Sequence, residues 1–282
     1  ATGISVKENL TGYLLFVAPG QAKGLAELAV QSIESGEGID KKAAKEILDI
    51  KKRPLLNAVD VAMFGRMVAD APDLNVDASV QVAHAIGIGR MEPEFDYFTA
   101  LDDRSPEDNA GAAMIETTEF TSATMYRYAN IDVLHLCENL GSARVACRGV
   151  EAFLRSFVAS MPTGKQNSFA NRTLPAAVVI QLRSTQPVSL VNAFEKPVEA
   201  HDGKSQVEIG CERLAAQEKA IDEAFGVSPQ KTFVIVASPD AKALPDAMLE
   251  AIACNLETAI EGVSSACANF LEENSYQLEE EN

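Results

Sequence analysis

FTSATMYRYANIDVLHLCENL, residues Phe120–Leu140, decides the fold class. Its first half, Phe120–Tyr128, is rich in Thr, Phe, Tyr and Met and holds no Gly, Pro or Asp. That composition suits a pleated, half-buried strand. On such a strand Phe120, Ser122, Thr124, Tyr126 and Tyr128 share one face, and Thr121, Ala123, Met125 and Arg127 the other. Asn130 and Asp132 then offer capping side chains, and Val133, Leu134 and Leu136 open a short helix that Gly141 stops. A strand feeding a helix that packs back on its sheet is an α+β core.

The pattern continues toward the C-terminus. Ala143–Met161 reads as an amphipathic helix, with Val145, Val150, Phe153, Leu154, Phe157 and Val158 as its apolar stripe. The loop MPTGKQNSFANRT follows. Its Gly164-Lys165 pair is not a P-loop, because Ala159 stands where the first Gly is needed and Gln166 replaces Ser or Thr. Such a basic, amide-rich loop can still hold phosphates through its donors. Pro175–Leu182 and Val188–Phe194 read as strands, Ser205–Phe225 as a helix, and Thr232–Ala237 as a central strand buried on both faces. Pro245–Val263 reads as a last helix before a frayed acidic tail. From residue 119 the predicted order is strand, helix, strand, strand, helix, strand. That resembles a ferredoxin-like, RRM-like sheet with helices on one side, an architecture that by itself assigns no function.

Toward the N-terminus, Gln21–Glu34 and Lys41–Leu56 read as helices, the second capped by Asp40 and ending near the basic run Lys51-Lys52-Arg53. Ala58–Phe64 alternates and predicts a strand, with Gly65-Arg66-Met67 as a tight turn; Val80–Ile88 predicts another strand. Gly89–Thr117 is a long irregular stretch with apolar ends and an acidic middle, which predicts a projecting hairpin with an exposed tip. The carboxylate pair Asp102-Asp103 falls at that tip, where solvation accounts for it. Residues 1–57 form a helical insertion, 58–118 a strand pair and hairpin, 119–240 the palm, and 241–282 a C-terminal helix and tail, within one domain overall.

Composition excludes several classes. Net charge is −17, which taken globally argues against nucleic acid. The charge is uneven, however: residues 119–200 hold 8 Lys/Arg against 6 Asp/Glu, whereas residues 240–282 hold 1 against 10. No run reaches about 18 apolar residues, so no membrane contact is expected, and the start has no signal-peptide pattern. Five cysteines without a CxxC pair read as free thiols in a reducing cytoplasm. Three scattered histidines make a metal site unexpected. There is no GxSxG elbow, no HExxH helix and no dinucleotide fingerprint after Gly87-Ile88-Gly89. No enzyme activity, cofactor or catalytic residue is therefore expected.

Six strings carry a resemblance: VDVAMFGRM (Val59–Met67), VQVAHAI (Val80–Ile86), FDYFTALDD (Phe95–Asp103), TEFTSATMYRYANID (Thr118–Asp132), ENLG (Glu138–Gly141) and SLVNAFEKPV (Ser189–Val198). In this order they resemble the CasC family, the repeated backbone subunit of the type I-E CRISPR surveillance complex, Cascade. The resemblance implies a hand-like shape with a ferredoxin-like palm, a helical insertion and a protruding thumb hairpin. It implies a non-catalytic subunit that stacks with other copies of itself along CRISPR guide RNA, beside other Cascade subunits, and presents the guide to target DNA. By position, Met67 would wedge against a guide base, and Phe98 and Thr99, with Ile115 or Met114 across the hairpin, would lie at a displaced base. Arg66 and Lys165 would face phosphates, with Gln166 beside Lys165 as an amide donor. Arg127 would contact RNA or sit in a palm ion pair. The family opens with a first palm strand and a basic Gly/Arg/Ser/Lys-rich segment. Neither is found here, which implies that the chain begins inside the protein.

Two other readings remain open on the sequence. One is a ferredoxin-like CRISPR endoribonuclease using His84 as base or acid. The other is a protein-binding scaffold whose acidic faces dock basic partners.

Overall fold

Pro19 and Gly36 set the limits of the first helix. The computed structural model describes residues 6–7, 10–11, 14–100, 114–274 and 276. Helix α1 (Pro19–Ser35) starts on a proline, whose missing N–H costs nothing there, and ends at Gly36 in the left-handed region. Two short strands, β1 (Val6–Lys7) and β2 (Leu10–Thr11), precede it. Helix α2 (Lys41–Leu48) is capped by Asp40, which accepts from Lys42 N at 2.8 Å and Ala43 N at 3.2 Å. It is shorter than the predicted Lys41–Leu56. Asp49 turns back to accept from Lys51 N at 3.0 Å, and Pro54 opens a separate 3₁₀ turn, Pro54–Leu56. The Lys51-Lys52-Arg53 run therefore lies beyond the helix end.

Ala58–Phe64 is not a strand. Helix α3 (Val59–Phe64) buries Val61, Ala62 and Met63. Six residues are too few for periodicity to separate a strand from a buried helical turn. Gly65 stops this helix, and Arg66 and Val76 then pair through both backbone hydrogen bonds, at 3.0 and 2.8 Å.

Residues 80–100 and 114–131 build one irregular antiparallel ribbon. Strand β3 (Val80–Val82) pairs β8 (Ala129–Ile131), β4 (Ile86–Gly87) pairs β7 (Met125–Tyr126), and β5 (Glu94–Ala100) pairs β6 (Met114–Phe120). The bond Ala83 N to Tyr128 O links the first two segments. Between the last two, residues 88–93 face only 121–124, so the outgoing strand carries an extra bulge. Pro93 lies there and has no N–H to give the ladder. Phe120–Tyr128 is thus two short strands with a break, not the continuous strand predicted. The hairpin β5–β6 stands where a projecting hairpin was predicted; the Asp102-Asp103 pair, expected at the tip, lies outside the described residues.

The core lies between the ribbon base and a second sheet. Helix α4 (Val133–Leu140) is capped by Asp132, which accepts from His135 N at 3.0 Å, and closed by left-handed Gly141. Helix α5 (Ala143–Ala159) starts at Ser142. A one-turn helix, α6 (Gln166–Phe169), follows. Among the described residues the second sheet has three strands in the order β11–β10–β9. Strand β9 (Ala177–Leu182) runs antiparallel to β10 (Lys231–Val236), and β11 (Ala251–Ala253) parallel to it. Helices α4, α5 and α9 (Leu256–Glu273) cover one face, burying Leu136, Val150, Phe153, Phe233, Val263 and Leu271 together. Helix α7 (Gln206–Phe225) and α8 (Leu244–Ala247) cover the other, around Ala215, Val234, Leu244 and Met248. Strand β10 is therefore buried on both faces, as its unbroken apolar run predicted.

This is a mixed α/β fold with helices on both faces of the sheet, not on one side. Two predicted elements are corrected. Val188–Phe194 is no strand: Leu190 N donates to the Tyr126 hydroxyl at 3.1 Å instead of to a ladder, and Val191–Phe194 is a 3₁₀ turn. Pro245–Val263 is not one helix. The chain leaves α8 at Met248, passes Glu250 at φ 49° and enters β11 before α9 begins. The acidic tail beyond Tyr276 lies outside the described residues. All five cysteines are free thiols, three of them buried. Burial pushes the Cys137 thiol up to about 11 and Cys267 up to about 12, so both stay protonated and act as small core hydrophobes.

Candidate nucleic-acid interface

The Gly65-Arg66-Met67 turn sends its two side chains in opposite directions. Met67 is 81% exposed, although nothing in its chemistry favours water. Arg66 is 5% exposed. All five of its N–H groups are engaged: Nε to Leu74 O at 3.1 Å, Nη1 to Phe16 O at 3.1 Å and to Gln21 Oε1 at 3.4 Å, and Nη2 to Leu48 O at 2.9 Å and Leu74 O at 2.8 Å. Leu48 ends α2 and Leu74 ends the 3₁₀ turn Pro72–Leu74, so the cation sits at two carbonyl-rich helix ends. Burial pulls the Arg66 pKa down, and the charge of Asp49 opposes this. Arg66 thus has no donor left for a phosphate. The expectation that it faces RNA is corrected: it is an internal tie between the helical insertion and the Met67 turn.

The hairpin register sorts its residues by face. Phe95, Tyr97 and Thr99 lie opposite Glu119, Thr117 and Ile115 on one face; Asp96 and Phe98 lie opposite Thr118 and Glu116 on the other. Of the two residues expected across the hairpin, Ile115 is the direct cross-strand partner of Thr99, and Met114 pairs with Ala100. Phe98 points the other way and is half-buried. Phe95, Tyr97 and Ile115 are exposed, so this face holds two aromatic rings and an aliphatic side chain in water, beside Thr99, Thr117 and the Glu119 carboxylate. Phe95 and Tyr97 stand out in the sequence as the aromatic end of this segment but were not among the expected RNA-binding residues. Only the register reveals that they share a face with Ile115.

Against the Asp96 face lies the 165–172 loop. Lys165 and Ala170 flank α6 in left-handed conformations, φ 53° and 47°. This folds Phe169 onto Phe120, ring centres 4.7 Å apart, with Lys165 Nζ 5.4 Å from the Phe169 ring. A cleft of about 320 Å³ results, lined by Asp96, Thr118, Phe120, Lys165, Ser168 and Phe169. Gln166 is half-buried and accepts from Arg172 Nη2 at 2.7 Å, which leaves its amide N–H₂ available. Lys165 is exposed at the cleft mouth and can meet an anion; Asp96 beside it narrows that preference to groups that avoid the carboxylate.

Arg127 is in no ion pair among the described residues. It stacks on Phe157 at 4.4 Å and donates to Ser160 O at 3.1 Å and Ser160 Oγ at 3.4 Å. His84 is exposed on the ribbon between β3 and β4. Among the described residues, no group of three or more His, Cys, Asp or Glu could hold a metal, and no helix is long and apolar enough to cross a membrane. The structure therefore places Lys165 at one cleft, which Gln166 does not line, and Thr99 and Ile115 on a separate hairpin face. Met67 sits apart on its turn, and Arg66 and Arg127 serve the protein interior and palm surface.

A family model described as CT1975-like protein matches residues 1–262. No curated protein matches the chain. Among solved structures, a chain of a CRISPR RNA-guided surveillance complex in a pre-nicking state superposes with a TM-score of 0.78 at 28% identity, covering 94% of this chain and 73% of that one. A chain of another CRISPR RNA-guided surveillance complex superposes with a TM-score of 0.63 at 31% identity, covering 77% of this chain and 82% of that one.

Proposed function

Because the chain belongs to the CT1975-like protein family and is a CasC-like Cascade protein, we propose that it is a guide-RNA-binding backbone subunit of a CRISPR surveillance complex. The observation that carries this reading is the likeness, over 94% of the chain, to a chain of an RNA-guided complex. In this reading the subunit is not an enzyme. It repeats along the guide, contacts its neighbours and other Cascade subunits, works in the cytoplasm and presents the guide to target DNA.

The site chemistry suits that role. Met67, Ile115 and the Phe95 and Tyr97 rings on the Thr99–Ile115 face are apolar and exposed, and such groups stack against any base without reading its identity. Lys165 and the Gln166 amide offer donors to the RNA backbone, which gives sequence-independent grip. A complex that must accept any guide needs both properties.

Alanine substitution tests the assignment. Met67→Ala is expected to weaken guide RNA binding by about 1 kcal/mol, roughly fivefold, with the unfolding midpoint unchanged. Lys165→Ala is expected to reduce the slope of log K against log salt by about 0.7, the value for one single-strand phosphate contact. Fluorescence anisotropy over a salt series measures both. An unchanged slope would remove Lys165 from the interface.

A further inference from the structure

Helix α7 turns two carboxylates down onto the sheet. Glu218 and Asp222 stand one turn apart, and their side chains are 2% and 4% exposed. The guanidinium facing them, Arg183, has a side chain 6% exposed. It divides unequally between them. Arg183 Nη1 donates to Asp222 Oδ1 at 3.2 Å and also to the Val227 carbonyl just past the helix end. Its Nη2 lies 4.0 Å from Glu218, beyond hydrogen-bond reach. Gln181 bridges that gap: its Oε1 accepts from Arg183 at 3.3 and 2.9 Å, and its Nε2 donates to Glu218. Asp222 thus has the cation, and Glu218 has a neutral amide.

Two polar atoms in this layer have no partner: Asp222 Oδ2 and Thr232 Oγ1. Thr232 stands opposite Gln181 in the β9–β10 ladder, so it lies on the same sheet face. The other charges around α7 do not compensate the cluster. Lys219 and Glu223 pair with each other at 3.9 Å on the solvent side. Asp240 acts on Cys211, two turns nearer the helix start. Glu195, Lys231, Lys242 and Asp246, on or next to the packed elements, are exposed. Tyr128 is reached by the field of Arg183 and is itself neutral. Two carboxylates against one guanidinium would leave a buried excess negative charge, which is costly. A proton on Glu218 removes that charge.

We propose that Glu218 is held protonated beside the Arg183–Asp222 pair, and that the three form a pH-sensitive latch fastening α7 to the sheet. Burial, and then the Asp222 charge, push the Glu218 carboxyl up to about 7, with Arg183 opposing. The sign follows. The folded state binds this proton more tightly than the unfolded chain does. The stabilisation is complete below the ordinary carboxylate range and is lost as pH rises toward 7.

Two measurements decide it: the side-chain carboxyl carbon of Glu218 followed by NMR through a pH titration, and urea unfolding of wild type and Glu218→Gln from pH 5 to 8. The latch requires Glu218 to titrate near neutrality. It also requires the wild-type folding equilibrium constant to fall relative to Glu218→Gln, approaching tenfold per pH unit between about 5 and 7. In Asp222→Asn the Glu218 midpoint must move back toward the ordinary range. A Glu218 midpoint near the ordinary value in wild type, or parallel stability curves for wild type and Glu218→Gln, overturns the proposal. The wild-type titration stands alone if a variant fails to fold.

Discussion

Arg66→Ala is expected to lower the unfolding free energy by on the order of 4 kcal/mol, a large share of the stability of an ordinary domain. Five hydrogen bonds disappear, and the carbonyls of Phe16, Leu48 and Leu74 lose a buried donor. Each buried acceptor left unpaired costs about 1–3 kcal/mol. Gln21 is affected too, because the same Oε1 that meets Arg66 also accepts from Ala18 N at 3.2 Å at the start of α1. Arg66→Lys is expected to recover only part of the loss, since an ammonium cannot span the fork of acceptors that a guanidinium reaches. Urea unfolding followed by circular dichroism measures both. A loss below about 1 kcal/mol for Arg66→Ala would mean that the guanidinium is not the tie described. RNA affinity measured on the folded fraction separates this role from a phosphate contact: a tie changes stability first.

Gly65→Ala is expected to cost about 3 kcal/mol. Gly65 has φ 80° and ψ 173°, a region essentially closed to residues with a Cβ. An added Cβ would also stand 2.8 Å from Val76 O and 3.2 Å from Ala78 N, both backbone atoms that the Arg66–Val76 pairing holds in place. Gly36 is the contrast. It is left-handed at φ 70°, but a Cβ there meets nothing within 4 Å, so Gly36→Ala is expected to cost only about 1 kcal/mol. Thermal or urea unfolding of the two variants gives the comparison. Equal losses at both sites would show that the close approach to Val76 contributes nothing. Gly65→Ala also shifts the turn that presents Met67, so guide affinity should fall beyond the loss that Met67→Ala produces.

The features legible in the sequence are those set by local chemistry. Asp40 and Asp132 cap helices where the spacing placed them, and Gly141 closes α4. The hairpin follows from two apolar arms around a polar middle, and β10 from an unbroken apolar run. The features that were not legible depend on partners far along the chain. Val188–Phe194 has the composition of a strand, yet a Tyr126 hydroxyl 64 residues away takes the Leu190 N–H. Arg66 reads as a surface cation beside a turn, and only the convergence of Phe16, Gln21, Leu48 and Leu74 turns it inward. The Phe120–Phe169 stack and the cleft beneath it need the same long-range knowledge. Met67 was reached only through the family resemblance; on its own a methionine beside Val68 reads as ordinary core, and only the structure shows it exposed.

Binding of labelled CRISPR guide RNA to this chain across a salt series tests the central claim most directly. The account expects binding that tightens with RNA length, ignores guide sequence, and weakens as salt rises with a slope that Lys165→Ala lowers. No binding at low salt, or binding that depends on the sequence of the guide, would contradict it.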